Sequence, residues 1–453
     1  MSDKIKILFL NKDGAGVNYF RTQTPAIELE RLYSNQFEVD IEAEVNFSDP
    51  DVIERLKKYQ IIHYHQRLVD DIRSMNDIKR KLSNIKFVLD IDDYWYLDKK
   101  HPLYNMSVEY KLPLITIENL KLADFVTTTT EAFAEEIRKV TGKDNVFVLY
   151  NAVNPETMKQ FENNWKPDPK GRVRITYAGG SSHMGDIKQL ESVTNMLNAD
   201  YQLKDKFTIK LAGWDTEGSI NTISFNPELI EALKAKKLWT IETVKILNKS
   251  KGNIDMLNKL SNAIKDQFRN NVFKQEQRPI KSEESVYYNY EQILTDNHKI
   301  IKDKDYSNWL MSYNKMNYYG DEGIYARRWT QKANIYAKVL DETDIVIAPL
   351  DDNKFNTMKS NLKQVECWSR KLPIICSDMI PYNVDGRHME NCILIPTEKN
   401  AKKHWVKHLK RLILDADLRK KLGEQLYEDF KVKYNLETVS KTRAELYKTI
   451  LNA

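Results

Sequence analysis

Apolar residues in this chain follow two alternating rhythms. Short runs rich in apolar residues occur at Ile5–Leu10, 39–44, Ile61–His65, 87–91, 125–129 and 146–149. Between several of them lie stretches of helical period, at 24–32, 49–58 and 132–140. Short apolar runs without alternation suit parallel strands covered on both faces. Interleaved with amphipathic helices, they predict a doubly wound sheet. The stretch 163–171, NNWKPDPKG, carries two prolines and a glycine and reads as a linker. The strand pattern restarts at 173–177 and Phe207–Ala212, lapses from about 216 to 328, and resumes at Asp344. The lapse still spaces Leu229, Ile230, Leu233 and Leu238 as a helix would, which predicts a polar, mostly helical insertion in a second α/β domain. Residues 402–453 read as helix with a kink at 434–436.

Composition narrows the class. At 453 residues, two domains are expected. A hydrophobic share of 41% against 30% charged allows a full core and excludes wholesale disorder. Seventy basic against 65 acidic residues leave a net charge of +5, which permits a polyanionic partner without demanding one. Cys367, Cys376 and Cys392 lack metal-ligand spacing and read as buried free thiols of a reducing compartment, so a cytoplasmic location is expected. The opening MSDKIKILFLN suits a first strand better than a signal peptide, and no apolar run is long enough to predict a membrane span.

The richest chemistry lies in 344–382, DIVIAPLDDNKFNTMKSNLKQVECWSRKLPIICSDMIPY. A buried strand, Ile345–Ala348, runs into a polar loop. A helix is expected to open near Lys359 and Ser360, and a second buried strand follows at 372–376. The first turn of a helix offers unpaired N–H groups and the positive end of its dipole. Two lysines, Lys359 and Lys363, and the Ser360 hydroxyl beside it make an anion site suited to a diphosphate. Lys363 and Glu366 lie three apart and share a helix face. A carboxylate there repels phosphate, so its chemistry is to accept hydrogen bonds from sugar hydroxyls.

Five other places carry candidate chemistry. In ITYAGGSSHMGDI a strand ends in Gly179, Gly180, Ser181 and Ser182, with His183 within the same loop. This is either a phosphate-approaching loop or only a tight connection. In NKDGAGVNYFR, Gly14 and Gly16 follow the first strand without the third glycine of a dinucleotide fingerprint, so an NAD site is a poor reading. Arg21 is a possible charge partner for a sugar or phosphate there, and the alternative is a flexible turn. In VLDIDDYW, Asp90, Asp92 and Asp93 end a strand, with Asp92 the candidate catalytic carboxylate. They can also bind a metal or sugar hydroxyls, or satisfy loop amides. His101 and Pro102 follow and are placed to close over that site. His63 and His65 share a strand face, but two histidines do not make a metal site, and His65 is the better functional candidate. The insertion gathers Tyr287, Tyr288, Tyr290, Tyr306, Trp309, Tyr313, Tyr318, Tyr319, Tyr325 and Trp329, which suit helix packing or, less well, stacking on bases or sugars.

Together FNTMKSNLKQVECWSRKLPIICSDMIPY, NYFRTQTPAIEL, FVLDIDDYW with a following HP, ADFVTTTTEAFAEEI, VLYNAVN and YAGGSSHMGDI resemble nucleotide-sugar glycosyltransferases of the GT-B fold, group 1 (family 4-like). The resemblance covers most of 1–215 and 329–453. It implies an α/β, GT-B architecture: two Rossmann-like doubly wound domains facing a cleft, with a helical insertion in the second. Residues 1–165 would be the acceptor domain, and 170–435 the nucleotide-sugar domain with insertion 216–328. Residues 436–453 would form a terminal helix returning to the first domain. Lys359, Ser360 and Lys363 would contact the diphosphate or donor sugar, and Glu366 the ribose. Gly179 to His183 would line the phosphates, and Gly16 would approach from the other domain. His183, Lys359, Lys363 and Asp92 are the expected catalytic residues. The position eight before Glu366, glutamate in many relatives, is Met358, and the basic residue expected early in the donor domain is matched best by Lys188. The expected partners are a nucleoside-diphosphate sugar and a glycan or lipid-linked acceptor, with no metal or organic cofactor. A hydroxylated base in DNA is an alternative acceptor, and a non-catalytic sugar-nucleotide or glycan binder is an alternative class.

Overall fold

The computed structural model describes residues 4–10, 16–43, 45–69, 72–99, 101, 103–180, 183–213, 219–279, 281, 284, 288–294, 325–328, 330–398 and 400–452. The early apolar runs form a six-stranded parallel sheet. Its strands are β1 (Ile5–Leu10), β2 (Phe37–Glu42), β3 (Ile61–His65), β4 (Lys86–Ile91), β5 (Phe125–Thr128) and β6 (Val146–Val148), in the order β2-β1-β3-β4-β5-β6. A second six-stranded parallel sheet holds β7 (Val173–Ala178), β8 (Phe207–Ala212), β11 (Tyr325–Arg328), β12 (Ile345–Ala348), β13 (Ile374–Ser377) and β14 (Ile393–Ile395), in the order β11-β8-β7-β12-β13-β14. β7, β8, β12 and β13 are buried along their whole length, as apolar strands covered on both faces must be.

Contacts divide the chain into two units. The larger holds both parallel sheets; the smaller comprises 216–288 and 301–316. The smaller unit was expected to be mostly helical, and it does carry the helices Pro227–Ala235, Ile241–Lys249 and Asn262–Phe268. It also contains an antiparallel pair, β9 (Ser219–Phe225) and β10 (Phe273–Pro279). Leu229, Leu233, Leu247, Ile254 and Phe268 form its own core. The expected resumption of the parallel sheet at Asp344 is corrected as well: β11 already pairs with β8. Its sequence, YARR, hides this, because the buried Arg327 is paired with Glu291, 36 residues away. Of the insertion's aromatic residues, Tyr287, Tyr306, Trp309, Tyr313, Tyr318, Tyr319 and Trp329 lie outside the described residues. Tyr325 is buried and donates to Glu291, which is helix-and-sheet packing and not an open stacking face.

One apolar cluster runs through both domains of the larger unit, from Ile7 and Phe9 through Val346 and Trp368 to Tyr447 and Ile450. The helix Leu436–Asn452 contributes the last two, and Tyr447 reaches His63 on β3 through a 2.9 Å hydrogen bond. Burial, joined by the Arg443 charge, lowers the His63 imidazole to about 3, so it stays neutral. Cys367, Cys376 and Cys392 are all buried and unpaired.

Arg21 lies in a π-helical turn, Tyr19–Gln23, between β1 and the helix Thr24–Tyr33. Far from reaching for a sugar or phosphate as the sequence allowed, it is 1% exposed and forks onto Asp90 at the end of β4, through bonds of 2.9 and 2.7 Å. Thr127 donates to the same carboxylate at 2.6 Å. Burial alone would raise the Asp90 carboxyl, but Arg21 outweighs it and holds the group below the usual carboxylate range. Removing one partner of such a pair strands a buried charge, so Asp90→Asn is expected to cost about 3–5 kcal/mol in urea unfolding. The folded-state value is depressed. The pair's contribution is therefore complete above the unfolded value near 4 and is lost as pH falls below it. Asp90→Asn should accordingly flatten the acid limb of the stability profile.

Candidate functional site

In each parallel sheet the strand order reverses once: between β1 and β3 in the first, between β7 and β12 in the second. Loops leaving the carboxyl ends of such strands diverge and open a crevice, where doubly wound sheets take ligands. The Gly-Ser-His loop follows β7 and the lysine-bearing loop follows β12. Asp186 ties them together. Its Oδ1 accepts from the Asp351 amide at 2.8 Å and from Asn356 Nδ2 at 2.9 Å, and its Oδ2 lies 2.7 Å from His183 Nδ1. Burial and the nearby Lys359 charge push the His183 imidazole below its ordinary value despite Asp186, which leaves it neutral at pH 7.

The helix expected from Lys359 and Ser360 begins later. Asn353 caps a single turn, Lys354–Thr357, by accepting from the Asn356 amide, and the next helix is Leu362–Trp368. Lys359 and Ser360 sit in the turn between the two. A seven-residue helix sums few peptide dipoles, so anion affinity here rests on side chains. Lys359 Nζ lies 3.3 Å from Asp93 of the first domain and 4.4 Å from the Phe355 ring centre. Lys363 Nζ donates to both Glu366 oxygens, at 3.0 and 2.7 Å. Glu366, 2% exposed, also accepts from the Tyr336 hydroxyl. Ser360 Oγ accepts from Asn151 Nδ2 of the first domain at 2.8 Å.

The first domain's three strand-end aspartates have separate tasks. Asp90 holds Arg21. Asp92 lies 2.9 Å from His65 Nε2. Burial works against the His65 cation, but Asp92 prevails and raises its pKa. Asp93 meets Lys359, which holds that carboxyl below its usual range against the desolvation it suffers in the cleft. His101 packs against Phe355 with ring centres 5.5 Å apart, and Phe355 and Met358 both join the first domain's apolar cluster. That burial explains why an apolar side chain stands at 358: a carboxylate there would be desolvated without a partner.

Of the sequence-derived candidates, Gly179, Gly180 and His183 lie on the loop after β7, and Lys359, Ser360, Lys363 and Glu366 on the loop and helix after β12. Asp92 stands at the first domain's strand end, bound by His65. Gly16 starts the helical run after β1, and Gly14, Pro102, Ser181 and Ser182 lie outside the described residues. Gly179 does not offer its amide, which already donates to the Ala212 carbonyl at 3.0 Å. Its backbone matters by proximity: a Cβ on Gly213, whose φ is +99°, would sit 2.6 Å from the Gly179 carbonyl oxygen. Lys188 is exposed, with its ammonium 5.5 Å from the Tyr290 ring centre. Sequence reasoning missed Asn151, Asp186 and Tyr336. Asp186 had a local signal, since it stands three residues after His183. The other two act across 209 and 30 residues, where no local pattern reaches. Among the described residues no cluster of three His, Cys, Asp or Glu side chains is placed to hold a metal ion, and no helix is long and apolar enough to cross a membrane.

No protein-family model and no curated protein matches the sequence. Solved structures match along almost the whole chain. A glycosyltransferase from Rickettsia africae ESF-5 is similar at 14% identity over 99% of both chains, with a TM-score of 0.53. Sucrose-phosphate synthase from Thermosynechococcus elongatus is similar at 10% identity over 99% of this chain and 100% of its own, with a TM-score of 0.54. Anabaena HepE, in complex with UDP and glucose, is similar at 12% identity over 98% and 99%, with a TM-score of 0.52. Likeness at such identities defines the architecture: the chain has the GT-B fold, with two Rossmann-like domains.

The electrostatics of the cleft can be tested without a ligand. Lys359→Ala removes a cation that lowers the His183 pKa. An NMR titration of the His183 imidazole should then show its pKa rising, and an unchanged value would remove Lys359 as a cause of the depression.

Proposed function

We propose that this protein is a glycosyltransferase that moves a sugar from a nucleoside-diphosphate sugar to an acceptor hydroxyl, with retention of anomeric configuration and without a metal. The acceptor is a polysaccharide or a lipid-linked glycan. The observation that carries the reading is the convergence of Lys359, Lys363, Ser360 and Glu366 at the switch point of the second sheet, opposite the first domain's strand ends. Its support from other proteins is the shared fold: Anabaena HepE has been solved with UDP-glucose, at 11% identity to this chain and a TM-score of 0.51.

Breaking the anomeric bond leaves negative charge on the diphosphate. Ammonium groups already in place stabilise that charge most where it develops, and so lower the barrier. Glu366 accepts two N–H groups of Lys363, which leaves the ammonium a third for a phosphate oxygen, and beside Tyr336 it keeps a lone pair for a ribose hydroxyl. Lysines meet the leaving-group charge that a divalent ion meets in metal-dependent transfer. His183, neutral and fixed by Asp186, adds a donor or acceptor without adding charge. Asp93 lies 39% exposed opposite Lys359, a pairing weak enough for an anionic donor to displace.

Lys363→Ala and Glu366→Gln are each expected to lower kcat/KM for transfer by about 10²-fold or more, the usual loss for one preorganised charge-stabilising group. Circular dichroism should show both still folded. Unchanged kinetics in both would remove the donor-site assignment. Turnover of a panel of UDP, GDP, ADP and dTDP sugars should survive EDTA. Loss of activity with EDTA, restored by Mn²⁺, would overturn the metal-independent part.

A further inference from the structure

Asn151 follows β6 and is 4% exposed, and its two amide ends face different chemistry. One end lies 3.0 Å from Arg21 Nη1, the other 2.8 Å from Ser360 Oγ. A guanidinium has donors and no acceptor. The end facing Arg21 is therefore the carbonyl oxygen, and the NH₂ group faces Ser360. Arg21 cannot turn away, because its Nε and Nη2 are held by Asp90 and its Nη1 also by the Leu149 carbonyl at 2.7 Å. Ser360 Oγ consequently accepts, and its own O–H proton has no acceptor among the described residues. A serine hydroxyl can donate or accept, and nothing in the residue itself selects between them.

We propose that Asn151 is a positioning residue that sets the polarity of the Ser360 hydroxyl, turning its proton toward a phosphate oxygen of the bound nucleotide. The polarity is dictated from the first domain by the buried Asp90–Arg21 pair, relayed through one amide. This rests on the nucleoside-diphosphate reading given above. It assigns a phosphate-specific role to a residue that belongs to the other domain and that touches Ser360 rather than the ligand. A donor oriented before the ligand arrives costs no reorganisation on binding. An aspartate at 151 would reverse the arrangement. The carboxylate would take the Ser360 proton, and the serine would present lone pairs to the phosphate.

Calorimetric titration with UDP, GDP, ADP and dTDP, each against its own nucleoside, tests this on wild type, Asn151→Asp, Ser360→Ala and the double variant. The diphosphate that wild type binds should lose about tenfold or more in affinity in Asn151→Asp, and its nucleoside less than about twofold. In the Ser360→Ala background, Asn151→Asp should add less than about twofold, because the two residues act as one unit. Asn151→Ala introduces no charge and covers the case in which the aspartate variant folds poorly. It should lose about threefold or more, again only when Ser360 is present. An equal loss with and without Ser360, or a loss shared by diphosphate and nucleoside, would overturn the proposal. If wild type binds no diphosphate better than its nucleoside, the donor reading itself fails and takes this one with it.

Discussion

A fully buried guanidinium–carboxylate pair organises the first domain. Arg21 and Asp90 sit where water cannot solvate them, so each is tolerable only because the other is there. The geometry around them follows from that requirement. The π-helical turn after β1 presents Arg21 inward, Thr127 on β5 donates to the carboxylate as well, and Leu149 and Asn151 after β6 accept from Nη1 of the guanidinium. Three strand ends and one helix are thus held at one point. Asn151 carries the constraint on to Ser360, so the same pair reaches the second domain's loop.

The other cleft charges behave differently because they meet solvent. Lys359 with Asp93, and Lys354 with Glu136, join the two domains, but each pair has one partner at least 39% exposed. Such pairs contribute about 0–1 kcal/mol, whereas removing one partner of the buried pair costs several because it strands the other charge. The buried pair therefore builds the scaffold, while the cleft pairs can be exchanged for a ligand's charge at little cost. His183 falls between these extremes. It is held by Asp186 but kept neutral by burial and by Lys359, which avoids a second cation next to the lysine.

Much of the scaffold was readable from local pattern. Ile5–Leu10, Ile61–His65, Phe207–Ala212 and Ile345–Ala348 are strands over the expected residues, because a short apolar run has few other ways to bury itself. β11 escaped, since Tyr-Ala-Arg-Arg does not read as a buried strand and the partner that neutralises Arg327, Glu291, is far away in sequence. The late start of the helix at Leu362 escaped for a local reason. Asn353 caps a separate turn, and two short helices replace the single one expected. Arg21 was legible as a charge partner but not as a buried one, because its carboxylate lies 69 residues away.

The chain alone determined the alternation of strands and helices, the two-domain α/β class and the place of the lysine loop, because apolar spacing and turn residues act over a few neighbours. Which aspartate meets Lys359, what holds Arg21, why position 358 is apolar and which way Asn151 faces were decided only by the tertiary structure. Those outcomes depend on desolvation and on directional hydrogen bonds between residues that folding brings together from distant parts of the chain.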